Sequence, residues 1–303
     1  MAFTAFADAD VVAQAPRRKS RVALLLLLPG LAYLALFFLV PLFALLLTSF
    51  QEIVIGPAGK DYVQAFRWEN YVEVVGTYRS HILRSFGYAV LATVIALLIG
   101  YPLAYFMGVT LRDRPLLKSL TMVLVIAPFF ISFLLRTLAW KQIFSDEGVV
   151  VSSLQAIGLM GPNDYLTGTP FSVVFGLTYT FIPFMTLPIY TSLERLDLRY
   201  LEAGADLYGR GGAIFWRVTL PLSAPGVISG TLLTFIPASG DYVNASREFL
   251  GGTGTSMIGN VIESNFLVRE NYPAAAALSI ILMAVILVLV GFYVRRSGTE
   301  DLI

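Results

Sequence analysis

Six charge-free runs, at 22–49, 86–109, 119–135, 171–193, 218–239 and 272–294, dominate this 303-residue chain. Each reaches the roughly 17–25 residues that a helix needs to cross a bilayer. Hydrocarbon offers no partner to a backbone N–H or C=O, so only helices and closed barrels can span it. The runs are continuously apolar and do not alternate in ten-residue strands, which excludes a barrel. The chain is therefore expected to be an all-α polytopic membrane protein with six transmembrane helices. Charged residues make up only 14% of it, against about 25% in soluble domains.

Orientation follows from Lys and Arg, which concentrate on the cytoplasmic side. With the N-terminus inside, the cytoplasmic segments hold Arg17, Arg18, Lys19 and Arg21, then Arg112, Arg114 and Lys118. They also hold Arg195, Arg199, Arg210 and Arg217, and finally Arg295 and Arg296. Both termini are then cytoplasmic. The plan is a disordered tail at 1–21, a six-helix membrane domain at 22–295 and a short tail at 296–303. The first run is too long for a signal-peptide core and has no small-residue cleavage site, so it reads as a retained span. Outside lie three loops, at 50–84, 141–170 and 240–271, the second with an amphipathic stretch at 149–159. Arg136 and Lys141 close the third span on the outer side, where snorkelling, an internal ion pair or an acid on a partner protein could each hold them.

Much chemistry is excluded. The chain has no cysteine and one histidine, His81, which reads as a satisfied loop residue, so no metal site is expected. No G-x-x-x-x-G-K-[ST] phosphate cradle occurs, and neither G-x-S-x-G nor H-E-x-x-H is present. No carboxylates sit mid-span, where a proton-coupled carrier would need them. A net charge of +1 gives no footprint for nucleic acid. No catalytic residue is expected in the chain. Uphill movement of a solute would need energy delivered by a partner.

The passage 197–226 is the one long polar stretch between spans that reads as ordered. At about 100° per residue, Leu198, Leu201, Ala205 and Tyr208 share one side of a helix, and Arg199, Glu202 and Asp206 another. Asp197 suits the N-cap, and Gly209, Gly211 and Gly212 suit the end. Ala203, Gly204 and Ala205 would let a partner surface approach closely. A bilayer-surface helix is the alternative, but an anionic membrane would favour more than the single Arg199 on the charged edge.

Glu202-Ala203-Gly204, followed by Val218-Thr219-Leu220-Pro221, resembles the EAA loop of ABC-importer permeases. The family pattern is Glu-Ala-Ala, a Gly four residues after the second Ala, and a later Ile-x-Leu-Pro. Gly204 stands here for the second Ala, and Tyr208 for the Gly, with Gly209 next. The resemblance implies a type I importer permease fold in the inner (cytoplasmic) membrane, whose coupling loop, about 194–222, docks into a separate ATPase. It assigns coupling to Arg199, Glu202, Ala203, Gly204, Asp206, Tyr208, Gly209, Leu220 and Pro221. The implied partners are a second permease subunit forming a heterodimer, two ATPase subunits carrying ATP and Mg, and an extracytoplasmic binding protein. No cofactor is implied on this chain itself.

A second resemblance concerns the cargo. The run PGVISGTLLTFIPASGDYVN from Pro225, then EFLGG and SMIGNVIESNF, resembles the spermidine/putrescine-type permeases. So do Leu135-Arg136-Thr137-Leu138-Ala139-Trp140 and Asn271-Tyr272-Pro273. A polyamine is a flexible multiple cation, and its path should offer carboxylates and aromatic faces. Phe235, Asp241, Tyr242 and Glu248 are the candidate path residues, with Glu263 in the same outer loop. Asp241 could equally cap the turn after Gly240. Ferric iron or an organophosphonate would use the same machinery, whereas a secondary carrier would need no ATPase and should show ionisable residues mid-span, which the six runs lack.

Overall fold

The computed structural model describes residues 21–57, 59–208 and 211–296. The tails and Gly209 of the coupling loop lie outside the described residues. The chain divides into two compact units between Leu47 and Thr48. Helix α1 (Leu25–Ser49) makes up most of the described part of the first. Its ladder widens over Ala35–Leu39, where Val40 N–H reaches back to the Ala35 carbonyl. Pro41 lacks an N–H and would clash with the carbonyl four residues earlier, and the wide turn relieves that conflict.

The second unit opens with an antiparallel hairpin, β1 (Gln51–Gly56) and β2 (Gly59–Gln64), in which Ile53 faces Tyr62. Helix α2 follows over Glu69–Thr110. Residues 50–84 are therefore not the long loop expected. The second span simply continues outward past residue 86, because a helix leaving the membrane has no need of apolar residues. Tyr78 (φ −110°, ψ 16°) marks a kink in that outer part.

The third span departs further from its reading. Helix α3 (Pro115–Phe130) stops, and α4 (Phe133–Ile143) leaves at 97° to it. Ile131 and Ser132 between them are extended, in a stretch where Pro128 has already removed one helical donor. Helix α5 (Val149–Ala156) forms within the stretch read as amphipathic. Helix α6 (Pro170–Arg195) matches its predicted span. Next come α7 (Arg199–Tyr208) and α8 (Gly211–Leu222), then α9 (Ala224–Ser239), turned 68° from α8. Helix α10 (Ile258–Glu263) and α11 (Tyr272–Arg296) complete the described chain. By length and composition, four described helices can each cross a membrane, and six spans result if each bent pair counts as one.

Helices α2, α6 and α9 form the centre. A stripe of small residues, Ala89, Ala92, Ala96, Gly100, Ala104 and Gly108, runs down one face of α2, and its four alanines are fully buried. A Cβ at Gly100 would stand 3.2 Å from Met185 Cγ, and one at Gly108 3.1 Å from Leu193 Cβ. On α9, Gly226 and Gly230 bring the backbone onto Pro188, Ile189 and Met185 of α6. In lipid, where apolar contact with tails is equally favourable, such small-residue seams let packing and weak polar contacts hold helices together. Beside the seams, Leu177, Met185, Ile189 and Leu193 of α6 are fully buried. Helix α11 uses its own small run, Ala274–Ala277, to pack beside Val74 and Ile258.

Candidate functional site

On the predicted cytoplasmic side, α7 and α8 form a helical hairpin. Asp197 caps α7 as read, its Oδ1 accepting from the Arg199 N–H at 3.0 Å. Gly211 and Gly212, read as ending that helix, instead open α8. The inner face of α7 is made by Leu198, Leu201 and the buried Gly204, while Ala205 is exposed. A Cβ at Gly204 would lie 3.3 Å from Val218 and 3.5 Å from Ile214. The small residue therefore serves closure of the hairpin and not the approach of a partner, a correction to the sequence reading. A wheel centred on Leu198 missed this because α8 approaches from one side only.

Closure of the hairpin sets what α7 shows to solvent. Arg199, Glu202, Ala203 and Asp206 are all exposed, joined by Tyr200 and by Leu207 at 79% exposure. The side chain of Tyr208 lies outside the described residues. An acidic edge flanked by apolar side chains suits a protein groove better than water. The hairpin is also anchored. The α8 ladder widens over Phe215–Thr219 just before Pro221, repeating the geometry before Pro41. Phe215 meets the Tyr101 ring of α2 edge-on at 5.3 Å, and the Tyr101 hydroxyl hydrogen-bonds Ser223 Oγ at 2.7 Å. Leu220 is half-buried against this cluster, whereas Pro221 is exposed.

On the opposite side, the loop after α9 folds back. Asp241 is buried; its Oδ1 accepts from the Asn244 N–H at 2.8 Å and its Oδ2 from Asn244 Nδ2 at 3.1 Å. Burial pushes its carboxyl up to about 6, although the bonds from Asn244 pull the other way. Phe235 is half-buried in the core, with the Phe86 ring 6.3 Å away. Tyr242 and Glu248 reach the surface. Glu248 lines a cavity of about 550 Å³ together with Tyr78, His81, Arg247, Asn260, Glu263 and Arg269. Arg269 Nη1 donates to the Tyr78 hydroxyl at 2.9 Å. Burial, then the charge of Glu248, raises the Glu263 carboxyl. His81, read as a loop residue, stands on α2. Lys141 is held internally, donating to the carbonyl of Glu248 at 2.8 Å. Trp140 seats α4 on α6 through Phe175 and Tyr179, with ring centroids 4.6 and 5.3 Å away.

Residues 100–296 match the family of binding-protein-dependent transport system inner membrane components. The chain belongs to this family. It is 34% identical over 267 residues to the spermidine/putrescine transport system permease protein PotB of Haemophilus influenzae, covering 88% of this chain and 91% of that one. The PotB protein of Escherichia coli K12 is 35% identical over 77% of this chain and 83% of its own length. The molybdenum transport system permease protein ModB of Mycobacterium bovis is 28% identical over 77% of this chain and 86% of its own. Among solved structures, a bacterial ABC transporter involved in alginate import has a similar fold, with a TM-score of 0.67 at 18% identity over 93% of this chain and 96% of that one.

The permease is thus a multi-pass inner-membrane component with the importer-permease fold. Its two groups of candidate residues behave differently. Arg199, Glu202, Ala203 and Asp206 come together on one exposed ridge, while Gly204, Leu220 and Pro221 build its support. The outer candidates are dispersed, with Phe235 and Asp241 inside and Tyr242 and Glu248 outside. Sequence reasoning missed Tyr78, Asn260 and Arg269, which line the same cavity as Glu248 although they come from distant segments. The Asn in SMIGN was a usable signal, since Asn260 Nδ2 donates to the Tyr242 carbonyl and fastens the two quoted motifs to each other.

Proposed function

We propose that this permease subunit carries a polyamine, spermidine or putrescine, from an extracytoplasmic binding protein into the cytoplasm, driven by a separate ATPase. The observation that carries the coupling half of this reading is the closed α7–α8 hairpin. Gly204 against Ile214 and Val218 fixes the ridge, and Glu202, Asp206 and Leu207 project from it. In this reading Glu202 and its neighbours transmit displacement and make no bonds with cargo. ATP closes a pair of nucleotide-binding subunits, and two coupling hairpins approach each other, one from this chain and one from a second permease. The spans then open outward, and the binding protein releases its cargo. Each ligand biases one of two states, which is all that alternating access requires.

The cargo half rests on the relatives named for spermidine and putrescine and is supported by the outer cavity. Glu248, Glu263 and the Tyr78 ring offer carboxylates and an aromatic face to ammonium groups. Asp241 shapes the turn at 241–244 that leads into this loop, from which Tyr242 and Glu248 reach the surface. The molybdenum-named relative favours a second reading, an oxyanion held by Arg247 and Arg269 in the same cavity. The test is ATP hydrolysis by the complex in lipid nanodiscs with its binding protein, comparing spermidine, putrescine and molybdate. Stimulation by a polyamine alone supports the first reading. Stimulation by molybdate alone moves the cargo to the second.

A further inference from the structure

Helix α7 hangs from the end of α6, and that end is bolted to two other helices. The last carbonyls of any helix lack intrahelical partners. Here two carbonyls at the exit of α6 are taken by Arg112, in the turn between α2 and α3. Its Nη1 donates to the Leu196 carbonyl at 2.8 Å and its Nη2 to the Glu194 carbonyl at 3.1 Å. A cation in this position also complements the negative end of the helix dipole. One turn into α3, Lys118 forms an ion pair with the Glu194 carboxylate. Its Nζ also lies 5.6 Å from the centroid of the Tyr190 ring. Below these contacts the α2 backbone comes so close at Gly108 that a Cβ would stand 3.4 Å from the Glu194 amide nitrogen. Beyond the bolted Leu196, only Asp197 and Leu198 separate this end from the first residue of α7.

We infer that Arg112, Lys118 and Glu194 are positioning residues for coupling: they join the inner ends of α2, α3 and α6 into one block, so that displacement of α7 moves all three helices. Without the bolt, α7 would reach α2 and α3 only through the apolar seam between α2 and α6 and through the contact of α8 with Tyr101. Part of the movement would then be absorbed in the Leu196–Leu198 link before it reached the inner ends of α2 and α3. This rests on the reading of α7 as the coupling helix. The geometry assigns no role in cargo contact to these three residues, and none of them lies on the exposed ridge.

The experiment uses the complete reconstituted complex and measures cargo transported per ATP hydrolysed, with Lys118→Glu, Arg112→Gln and the exchanged pair Lys118→Glu/Glu194→Lys. Coupling free energies between sites commonly correspond to factors of 5–150, and loss of one bolt is expected to lower transport per ATP by about 5-fold. The exchanged pair should recover most of it. Transport per ATP unchanged in both single variants overturns the inference, even if yield falls, because that is the signature of a purely structural role. Failure of the exchanged pair to recover overturns the part assigned to the ion pair. Should the reversal prevent assembly, Lys118→Met and Arg112→Lys decide by the same ratio. Glu202→Ala is measured in parallel. If it too leaves the ratio intact, the reading of α7 fails, whereas a drop in Glu202→Ala alone sinks only the bolt.

Discussion

The crossing of α6 and α9 makes a sharp demand on Gly226. A Cβ there would stand 2.6 Å from the Pro188 carbonyl oxygen and 2.9 Å from Ile189 Cα, both backbone atoms that no rotamer change can move. Gly226→Ala therefore has to push the two helices apart by several tenths of an ångström, opening the buried seam around Met185 and Ile189. Overpacking of this kind costs about 1–3 kcal/mol. Gly76, on the outer part of α2, has nothing within 4 Å of the same added atom. Gly76→Ala should instead stabilise by up to about 1 kcal/mol through helix propensity. The assay is thermal unfolding of the purified protein in one detergent, followed by loss of the monodisperse peak. The expected order of midpoints is Gly226→Ala below wild type and wild type at or below Gly76→Ala. A Gly226→Ala protein as stable as wild type would refute the claim that close backbone approach, and not side-chain filling, holds this crossing.

Two further outcomes follow from particular residues. Gly204→Ala should be tolerated within about 1 kcal/mol, the range of a conservative swap, because the new methyl meets only the movable ends of Val218 and Ile214; it restores the family's Glu-Ala-Ala. A wild-type level of cargo-stimulated ATP hydrolysis checks this. Asp241 has a carboxyl raised from 3.8 to about 6 in the folded protein, so its contribution to stability is full below about 3.8 and is lost as pH rises through about 6. The loss is at most about 3 kcal/mol at 1.36 kcal/mol per pH unit. Unfolding midpoints of wild type measured from pH 4 to 7.5 should fall more steeply than those of Asp241→Asn, and parallel curves would contradict the buried, turn-holding role.

What the sequence made legible was whatever depends on composition along one stretch. The apolar runs of α6 and α11, the Asp197 cap and the helix over 199–208 are local properties, and the structure places them where the residues say. Non-local features were not legible. The outer half of α2 carries Arg79 and Arg84, so hydropathy ended the span near residue 86 while the helix itself begins at Glu69. The hairpin of β1 and β2 lacks a two-residue Asn-Gly or Asp-Gly turn, the strongest short-range signal for such a unit. The 97° break between α3 and α4 falls inside a run of continuous hydropathy, and only Pro128 hinted at it. Gly204 was visible as a small residue, but which surface it admits depends on α8. The outer cavity was least legible of all, because Tyr78 and Arg269 meet across most of the chain.

If the exposed ridge of α7 is what meets the ATPase, reversing the charge at Glu202 should break that contact. Glu202→Lys changes a solvent-facing side chain outside the permease core, so the chain should fold and insert normally. In the reconstituted complex with its loaded binding protein, cargo-stimulated ATP hydrolysis is expected to drop to the unstimulated rate. Stimulation in Glu202→Lys equal to wild type would contradict the assignment of α7 as the element that meets the ATPase.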